Sequence, residues 1–286
     1  MLTYRNSYGK GARAFLLIAT AATVNGCAVD HIRELREAEQ TFSRAAQQEN
    51  RARLTSLEAL KTKSSDSVEA GGLVDAVTND TGYRMAAEIT ARLMATKTAE
   101  LRQDNLLCTA QTIRAFSLWR LGEGAMASQI AQLDCGDADK TPRDHALLRV
   151  VPALVKIDDA EARGRNGTTS ADDLKSTLDS VDAALSELAK ADGDVPRDHP
   201  IRAYLFMSRL AAIRVRHSAP VREEIRSPEA EERTMLLADE TLNAYRMYLY
   251  CIAGVASDPE HESVAYWRTL FGDSTLGNDA VACVAS

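Results

Sequence analysis

The chain has 286 residues, and its 41 Asp and Glu residues outnumber its 34 Lys and Arg residues, which gives a net charge of −7. Such a chain is long enough to bury a sizeable core in one elongated or two compact domains. An acidic protein surface cannot neutralise a row of phosphates, so the composition argues against a nucleic-acid partner.

The first 26 residues have the pattern of a secretory signal. Three basic residues and no acidic residue precede an apolar run of 11 residues at 14–24, and Gly26 and Cys27 follow. A basic stretch, a short apolar stretch and a small residue before the cleavage point are typical of exported chains. The run is well short of the roughly 20 residues that span a bilayer as a helix. We therefore predict that residues 1–26 are a signal peptide that is removed.

The end of this segment, Val24-Asn25-Gly26-Cys27, resembles the lipobox of bacterial lipoproteins, in which a lipid is attached to the cysteine thiol and the chain is cut just before it. The resemblance implies that Cys27 is acylated and that its lipid attaches the protein to a membrane. Ala28 follows the cysteine, at the position where an Asp would resemble an inner-membrane retention signal. The absence of that Asp favours the outer membrane, with the protein facing the periplasm. The alternatives are an ordinary signal cut near Ala22, with Cys27 as an unmodified thiol, and an uncleaved anchor.

The mature chain is predicted to begin with an amphipathic helix. Apolar residues recur at three- and four-residue steps over 29–63, and a break near Asn50 is one interpretation of that stretch. Residues 64–82 contain SSDS, a Gly-Gly pair and NDTG. This composition predicts an internal loop.

Three predicted helices follow closely, at 83–98, at 105–121 with Asp104 as its N-cap, and at 125–133. Gly122 separates the last two, because glycine adopts the left-handed conformation at a helix end at little cost. Around this turn the small and apolar residues resemble those of a tetratricopeptide (TPR) helix-turn-helix: Ala115, Leu118, Leu121, Gly122, Ala127 and Ala131. The resemblance implies a protein-binding helical repeat, but no neighbouring segment repeats the pattern at about 34 residues.

The second half of the chain carries four further helix starts. Pro142-Arg143-Asp144-His145 recurs as Pro196-Arg197-Asp198-His199, and in each copy Asp takes the N-cap position. Ser170 opens a helix that ends at Gly193, and Ser227-Pro228 opens one that runs to Gly254. We predict an all-α fold in a single domain at 27–286, an irregular α-solenoid or bundle of antiparallel helical hairpins that is TPR-like.

Four cysteines remain once Cys27 is set aside. Gly122 lies 14 residues after Cys108 and 13 before Cys135, so two antiparallel helical arms would bring these cysteines level. We predict a Cys108–Cys135 disulfide and, by elimination, a Cys251–Cys283 disulfide, as suits an oxidising compartment. Four free thiols are the alternative. Zinc is disfavoured because no CxxC or paired-histidine spacing accompanies the cysteines, so no metal and no cofactor are predicted.

The search for chemistry finds aromatic residues and no catalytic motif. The patterns GxSxG, HExxH, GxxxxGK[ST] and GxGxxG do not occur, so no catalytic residue and no enzymatic activity are predicted. Six of the 12 aromatic residues after position 26 fall close together, and they suit either the core of the C-terminal segment or a partner-binding surface. These candidate partner-binding residues are Tyr245, Tyr248, Tyr250, Tyr266, Trp267 and Phe271.

Together these features predict a lipid-anchored envelope protein that acts as a non-enzymatic scaffold or adaptor for another envelope protein. One alternative is a small-molecule-binding accessory lipoprotein of a transport system, which would have a closed cavity between helices. A second is an envelope hydrolase, which would need a cleft containing carboxylates or histidines with strongly perturbed pKa values. An all-α fold is compatible with each of these functions, so the fold alone does not choose among them.

Overall fold

The computed structural model describes residues 11–60, 78–165, 171–192 and 202–217. These residues form eight α-helices, and no strand occurs among them, so the predicted all-α fold is confirmed. In chain order the helices are α1 Gly11–Leu60, α2 Asp80–Thr96, α3 Thr98–Gln103, α4 Leu107–Arg120, α5 Gly124–Ala131, α6 Pro142–Arg165, α7 Ala171–Asp192 and α8 Arg202–His217.

Helix α1 is continuous, so the predicted break near Asn50 is wrong. It begins at Gly11, passes through Cys27 and ends at Leu60. From Leu35 to Ala46 its buried residues are apolar, and the buried face then continues with three polar residues, Glu49, Asn50 and Arg53. The apolar periodicity therefore lapses because the buried face becomes polar, while the backbone remains helical.

Helix α2 begins at Asp80, inside the predicted loop at 64–82, whose residues 64–77 lie outside the described part of the chain. Asn79 caps the helix, because its side-chain oxygen accepts from the backbone N–H of Gly82 at 3.1 Å. A Cβ atom at Gly82 would lie 2.6 Å from the Cβ of Ala45, which is closer than two carbon atoms can approach. Glycine at this position therefore permits the close packing of α2 against α1.

The prediction that Asp104 caps a helix starting at residue 105 is wrong. A short helix, α3, ends just before Asp104, and Asn105 then takes the left-handed conformation with φ 57°. The N–H of Leu106 bonds to the carbonyl of Leu101 at 2.7 Å, which is the bond that closes a Schellman C-terminal motif. Asp104 and Asn105 thus terminate α3, and α4 begins two residues later, at Leu107.

The turn predicted at Gly122 is present. Gly122 has φ 78°, and the N–H of Glu123 bonds to the carbonyl of Leu118 at 2.9 Å, so this helix end is also a Schellman motif. Helix α5, which follows, has only 8 residues. The helix-turn-helix expected at 105–133 is therefore observed with a short second arm, and its resemblance to TPR units stays a prediction.

The helices pack mainly on their neighbours along the chain. Helix α2 packs on α1, α4 packs on α2, α5 and α6 pack on α4, and α7 and α8 pack on α6. Helices α1 and α2 run antiparallel, because Glu49 contacts Tyr83 and Glu34 contacts Arg92. Helix α6 begins at Pro142 itself, so Asp144 lies in its first turn, and the predicted N-cap role of Asp144 is wrong. Helices α7, Ala171–Asp192, and α8, Arg202–His217, follow the predicted helix starts at Ser170 and Asp198. Those two residues and the predicted helix end at Gly193 lie outside the described part of the chain. The helix predicted over 227–254 lies outside the described residues.

Candidate functional site

A carboxylate, two guanidinium groups and two phenols meet in the interior between four helices. Glu49 and Arg53 come from α1, Tyr83 from α2, Arg120 from α4 and Tyr204 from α8. We call these five residues the Glu49 cluster. Four of them are fully buried and the side chain of Arg120 is 8% exposed, so the polar groups must be paired inside the protein.

Both oxygens of Glu49 accept hydrogen bonds in this cluster. Oε2 accepts from the hydroxyl of Tyr83 at 2.8 Å and from Nη2 of Arg53 at 3.1 Å. Oε1 accepts from the backbone N–H of Asn79 at 2.8 Å and from Nη2 of Arg120 at 3.3 Å. One carboxylate therefore joins α1 to the N-terminus of α2 and to the C-terminal turn of α4.

Tyr204 connects α8 to the same cluster. Its hydroxyl lies 2.6 Å from the hydroxyl of Tyr83, and its ring stacks on that of Phe116 with centroids 6.0 Å apart. The guanidinium carbon of Arg120 lies 5.5 Å from the centroid of the Tyr204 ring and 5.3 Å from that of Trp119. Charge and aromatic faces thus complement one another across the interface.

The environment of the Glu49 cluster shifts three pKa values upward. Burial raises the pKa of Tyr204 to about 12, and the nearby Glu49 carboxylate adds to the effect. Burial and the neighbouring Tyr204 and Glu49 raise the pKa of Tyr83 well above its usual range. Burial opposes the charge of Arg120, but the attraction of Glu49 and the tyrosines outweighs it and raises the pKa of the guanidinium. At neutral pH the phenols are therefore hydrogen-bond donors and Arg120 is a cation.

The Glu49 cluster suits a structural role. Since Glu49, Arg53, Tyr83 and Tyr204 are covered by protein on every side, a substrate cannot contact their polar atoms in this conformation. The Glu49 cluster holds four helices together through one set of shared hydrogen bonds. A buried network in which both oxygens of the shared carboxylate are bonded favours one packing of the helices.

A second cluster lies at the start of α4. Cys108 and Cys135 form a disulfide with their Cα atoms 4.9 Å apart, which agrees with the pairing expected from their distances to Gly122. The prediction assumed that the second helix continues as far as Cys135. Helix α5 instead ends at Ala131, and a loop carries Cys135 back to α4. His145 Nε2 lies 3.5 Å from Sγ of Cys108 and 3.6 Å from Sγ of Cys135.

Helix α6 is tied to this end of α4 by a second polar contact. The hydroxyl of Thr109 donates to Oδ2 of Asp144 at 2.6 Å. Asp144 is buried and His145 is half-buried, so the first turn of α6 covers the disulfide. We call Cys108, Cys135 and His145 the disulfide–histidine cluster.

The other residues singled out from the sequence are not brought together by the described structure. Cys27 lies within α1, in a stretch for which only the backbone is described. The predicted Cys251–Cys283 disulfide lies outside the described residues, as do all six candidate partner-binding aromatic residues, Tyr245, Tyr248, Tyr250, Tyr266, Trp267 and Phe271.

The Glu49 cluster was not predicted from the sequence, although the sequence pattern indicates two of its residues, Glu49 and Arg53. Glu49 and Arg53 are spaced i, i+4 and fall on the same helix face as Phe42 and Ala45, and a charged pair on an apolar face is the pattern of a buried ion pair. Nothing in the sequence indicates that Arg120 and Tyr204 join this pair, since they are separated from it by 67 or more residues.

Comparisons with known proteins do not place this chain in a family. The chain matches no protein-family model, and neither the curated proteins nor the solved structures contain a match. Among the described helices, none combines the length and the apolar character that crossing a membrane requires.

Proposed function

We propose that this chain is an exported, lipid-anchored protein that acts as a non-enzymatic scaffold or adaptor at the bacterial envelope. Residues 1–26 act as the signal peptide, and the lipid on Cys27 holds the mature chain at the outer membrane, facing the periplasm. The partner is another envelope protein, and the aromatic residues at 245–271 form the surface that binds it.

The Cys108–Cys135 disulfide is the observation that carries this proposal. Disulfides form and persist in oxidising compartments and are rare in the cytosol. This cross-link therefore supports export independently of the basic and apolar pattern at 1–26. The two features come from different parts of the chain, and both favour the same compartment.

The packing of the described helices supports a scaffold. The Glu49 cluster fixes α1, α2, α4 and α8 relative to one another, and the disulfide fixes the loop after α5 on the start of α4. Helix α1 contains both Cys27 and Glu49, so after removal of residues 1–26 the proposed anchor at Cys27 and the buried network still belong to one continuous helix. A rigid framework of this kind can present a binding surface at a constant distance from a membrane.

Metabolic labelling tests the anchor. When cells that express the chain are fed an alkyne analogue of a fatty acid, the wild type is expected to acquire the label and Cys27→Ser to remain unlabelled. Immunoblotting of both proteins corrects for the amount present. Equal labelling of the two proteins would contradict the assignment of Cys27.

Site-specific cross-linking tests the scaffold. A photoreactive amino acid at Tyr248 is expected to capture one envelope protein in living cells. The same group at Met126, which is 44% exposed on α5, provides a matched comparison on the described surface. Capture from Met126 but not from Tyr248 would refute the assignment of the aromatic surface.

A further inference from the structure

We propose that Cys108, Cys135 and His145 form a redox-gated metal site, which the disulfide closes and which binds Zn²⁺ through two thiolates and one imidazole after reduction. This inference goes beyond the proposed scaffold function and does not depend on it. Two cysteines separated by 27 positions, with a histidine 10 residues further along, do not match a familiar zinc motif. The site is created by the fold.

The position of His145 is the first observation that supports the site. One ligand atom from each residue lies within 4.8 Å of the other two. A tetrahedral Zn²⁺, with bonds of about 2.3 Å to sulfur and about 2.0 Å to nitrogen, places a sulfur and a nitrogen ligand about 3.5 Å apart. Nε2 of His145 already lies 3.5 Å and 3.6 Å from the two sulfurs. The imidazole therefore needs little movement to bind the same Zn²⁺ ion as the two thiolates.

The two sulfurs need to separate, and the loop that carries Cys135 can provide this movement. Two thiolates on a tetrahedral Zn²⁺ lie about 3.8 Å apart. Cys135 lies in the loop between α5 and α6, where its neighbours are exposed and Gly136 has φ 123° with open space around it. Cys108, in contrast, lies in the first turn of α4 and is held by the helix. Cys135 can thus move by rotation of the loop while Cys108 and His145 stay in place.

Because Cys135 lies in a loop and Cys108 in a helix, a dithiol can reduce the disulfide by attacking Cys135 first. The attacking thiolate forms a bond to Sγ of Cys135, the disulfide bond breaks, and its electron pair leaves on Sγ of Cys108. The second thiol of the reductant then displaces Cys135, so that two electrons pass from the dithiol to the disulfide and the reductant leaves as a cyclic disulfide. Cys108 lies in the first turn of α4, where the positive end of the helix dipole stabilises the negative charge that forms on its sulfur.

Oxidation state decides whether the site exists, because only a thiolate is a strong ligand for Zn²⁺. In the disulfide form both sulfurs are bonded to each other and His145 remains as a single ligand. Reduction supplies two thiolates beside the imidazole and leaves the fourth position of a tetrahedral ion open to water. A site with three protein ligands and one open position is the arrangement of an exchangeable or catalytic zinc ion.

Cobalt titration of the full-length chain tests this site. The protein is reduced with a phosphine, which is then removed without air, and Co²⁺ is added as a spectroscopic substitute for Zn²⁺. We expect one Co²⁺ per chain, with thiolate-to-cobalt charge-transfer bands and the visible bands of a tetrahedral ion, and we expect Zn²⁺ to displace it. The oxidised chain and Cys108→Ser should not show this site.

Variants of two histidines separate metal binding from a general effect of mutation. Loss of a residue that only supports a metal ligand costs about 10–100-fold in affinity, so His145→Gln is expected to weaken Co²⁺ binding by at least about tenfold. His31→Gln is the matched control, because Nε2 of His31 bonds to Asp104 at 2.7 Å and takes no part in the cluster. His31→Gln should leave the affinity unchanged.

Several results would overturn the proposal. They are the absence of the bands from the reduced wild type, their persistence in Cys108→Ser, and an unchanged affinity in His145→Gln. If His145→Gln fails to fold, X-ray absorption of the reduced wild type with Zn²⁺ decides the question. Two sulfur neighbours together with imidazole scattering would support the site, and any other sulfur count would reject it.

Discussion

Replacing Glu49 with alanine is expected to lower the free energy of unfolding by about 3–5 kcal/mol, the range found when one partner of a buried ion pair is removed. The carboxylate is fully buried and accepts hydrogen bonds from Tyr83, Arg53, Arg120 and the backbone of Asn79. Its removal takes away the acceptor that these donors share inside the protein. Denaturant titration followed by far-ultraviolet circular dichroism measures the change.

Two further variants show whether charge or packing causes the loss. Glu49→Gln keeps the size of the side chain and removes its charge, so a large loss in this variant assigns the effect to the carboxylate. Glu39→Ala removes an exposed carboxylate from the same helix and is expected to change stability by no more than about 0.5 kcal/mol. If Glu49→Ala unfolds at the same denaturant concentration as Glu39→Ala, the proposed role of the Glu49 cluster is wrong.

A double-mutant cycle isolates one bond of the Glu49 cluster. Tyr83→Phe removes the hydroxyl that donates to Oε2 of Glu49 and that also contacts the hydroxyl of Tyr204. Combining it with Glu49→Ala, which removes the acceptor, measures the coupling between the side chains of Tyr83 and Glu49. Contacting residues in one hydrogen-bond network show coupling energies of about 0.5–3 kcal/mol. Additive effects of the two mutations would show that the hydroxyl and the carboxylate contribute independently.

The helices could be predicted from the sequence where local signals decide them. Gly122 marks a helix end because the left-handed conformation is local to one residue, and the structure places it there with φ 78°. Asn105 also ends a helix in the left-handed conformation, but the preceding Asp104 resembles an N-cap. Helix α3, which ends just before Asp104, is too short to show the helical spacing of apolar residues. Competing local signals thus gave the wrong helix boundary at this turn.

The buried clusters could be predicted only in part, because they depend on which helices come together. The interruption of the apolar face at Glu49 and Arg53 is visible in the sequence, yet the choice of Tyr204 and Arg120 as neighbours follows from the packing of α4 and α8 around α1. Likewise, distance from Gly122 brings Cys108 and Cys135 together, whereas His145 joins them because α6 packs along α4. Contacts of this kind are a property of the tertiary structure, which no single segment encodes.

The second large effect is expected from loss of the disulfide. Replacing both Cys108 and Cys135 with alanine is expected to lower the free energy of unfolding by about 3.5 kcal/mol, from the entropy that the cross-link removes from an unfolded loop of this length. The two cysteines are separated by 27 positions, and the loop between them contains all of α5. Denaturant titration of the oxidised wild type and the double variant measures the difference.

Repeating the titration under reducing conditions is the control for this effect. Reduction removes the cross-link from the wild type and leaves the double variant unchanged at these two positions, and any other disulfide is affected equally in both proteins. The difference between the two proteins should therefore fall to about 1 kcal/mol, the cost of removing two small buried groups. If the full difference persists after reduction, packing of the two sulfurs against α4 and His145, and not the covalent link, stabilises this end of the protein.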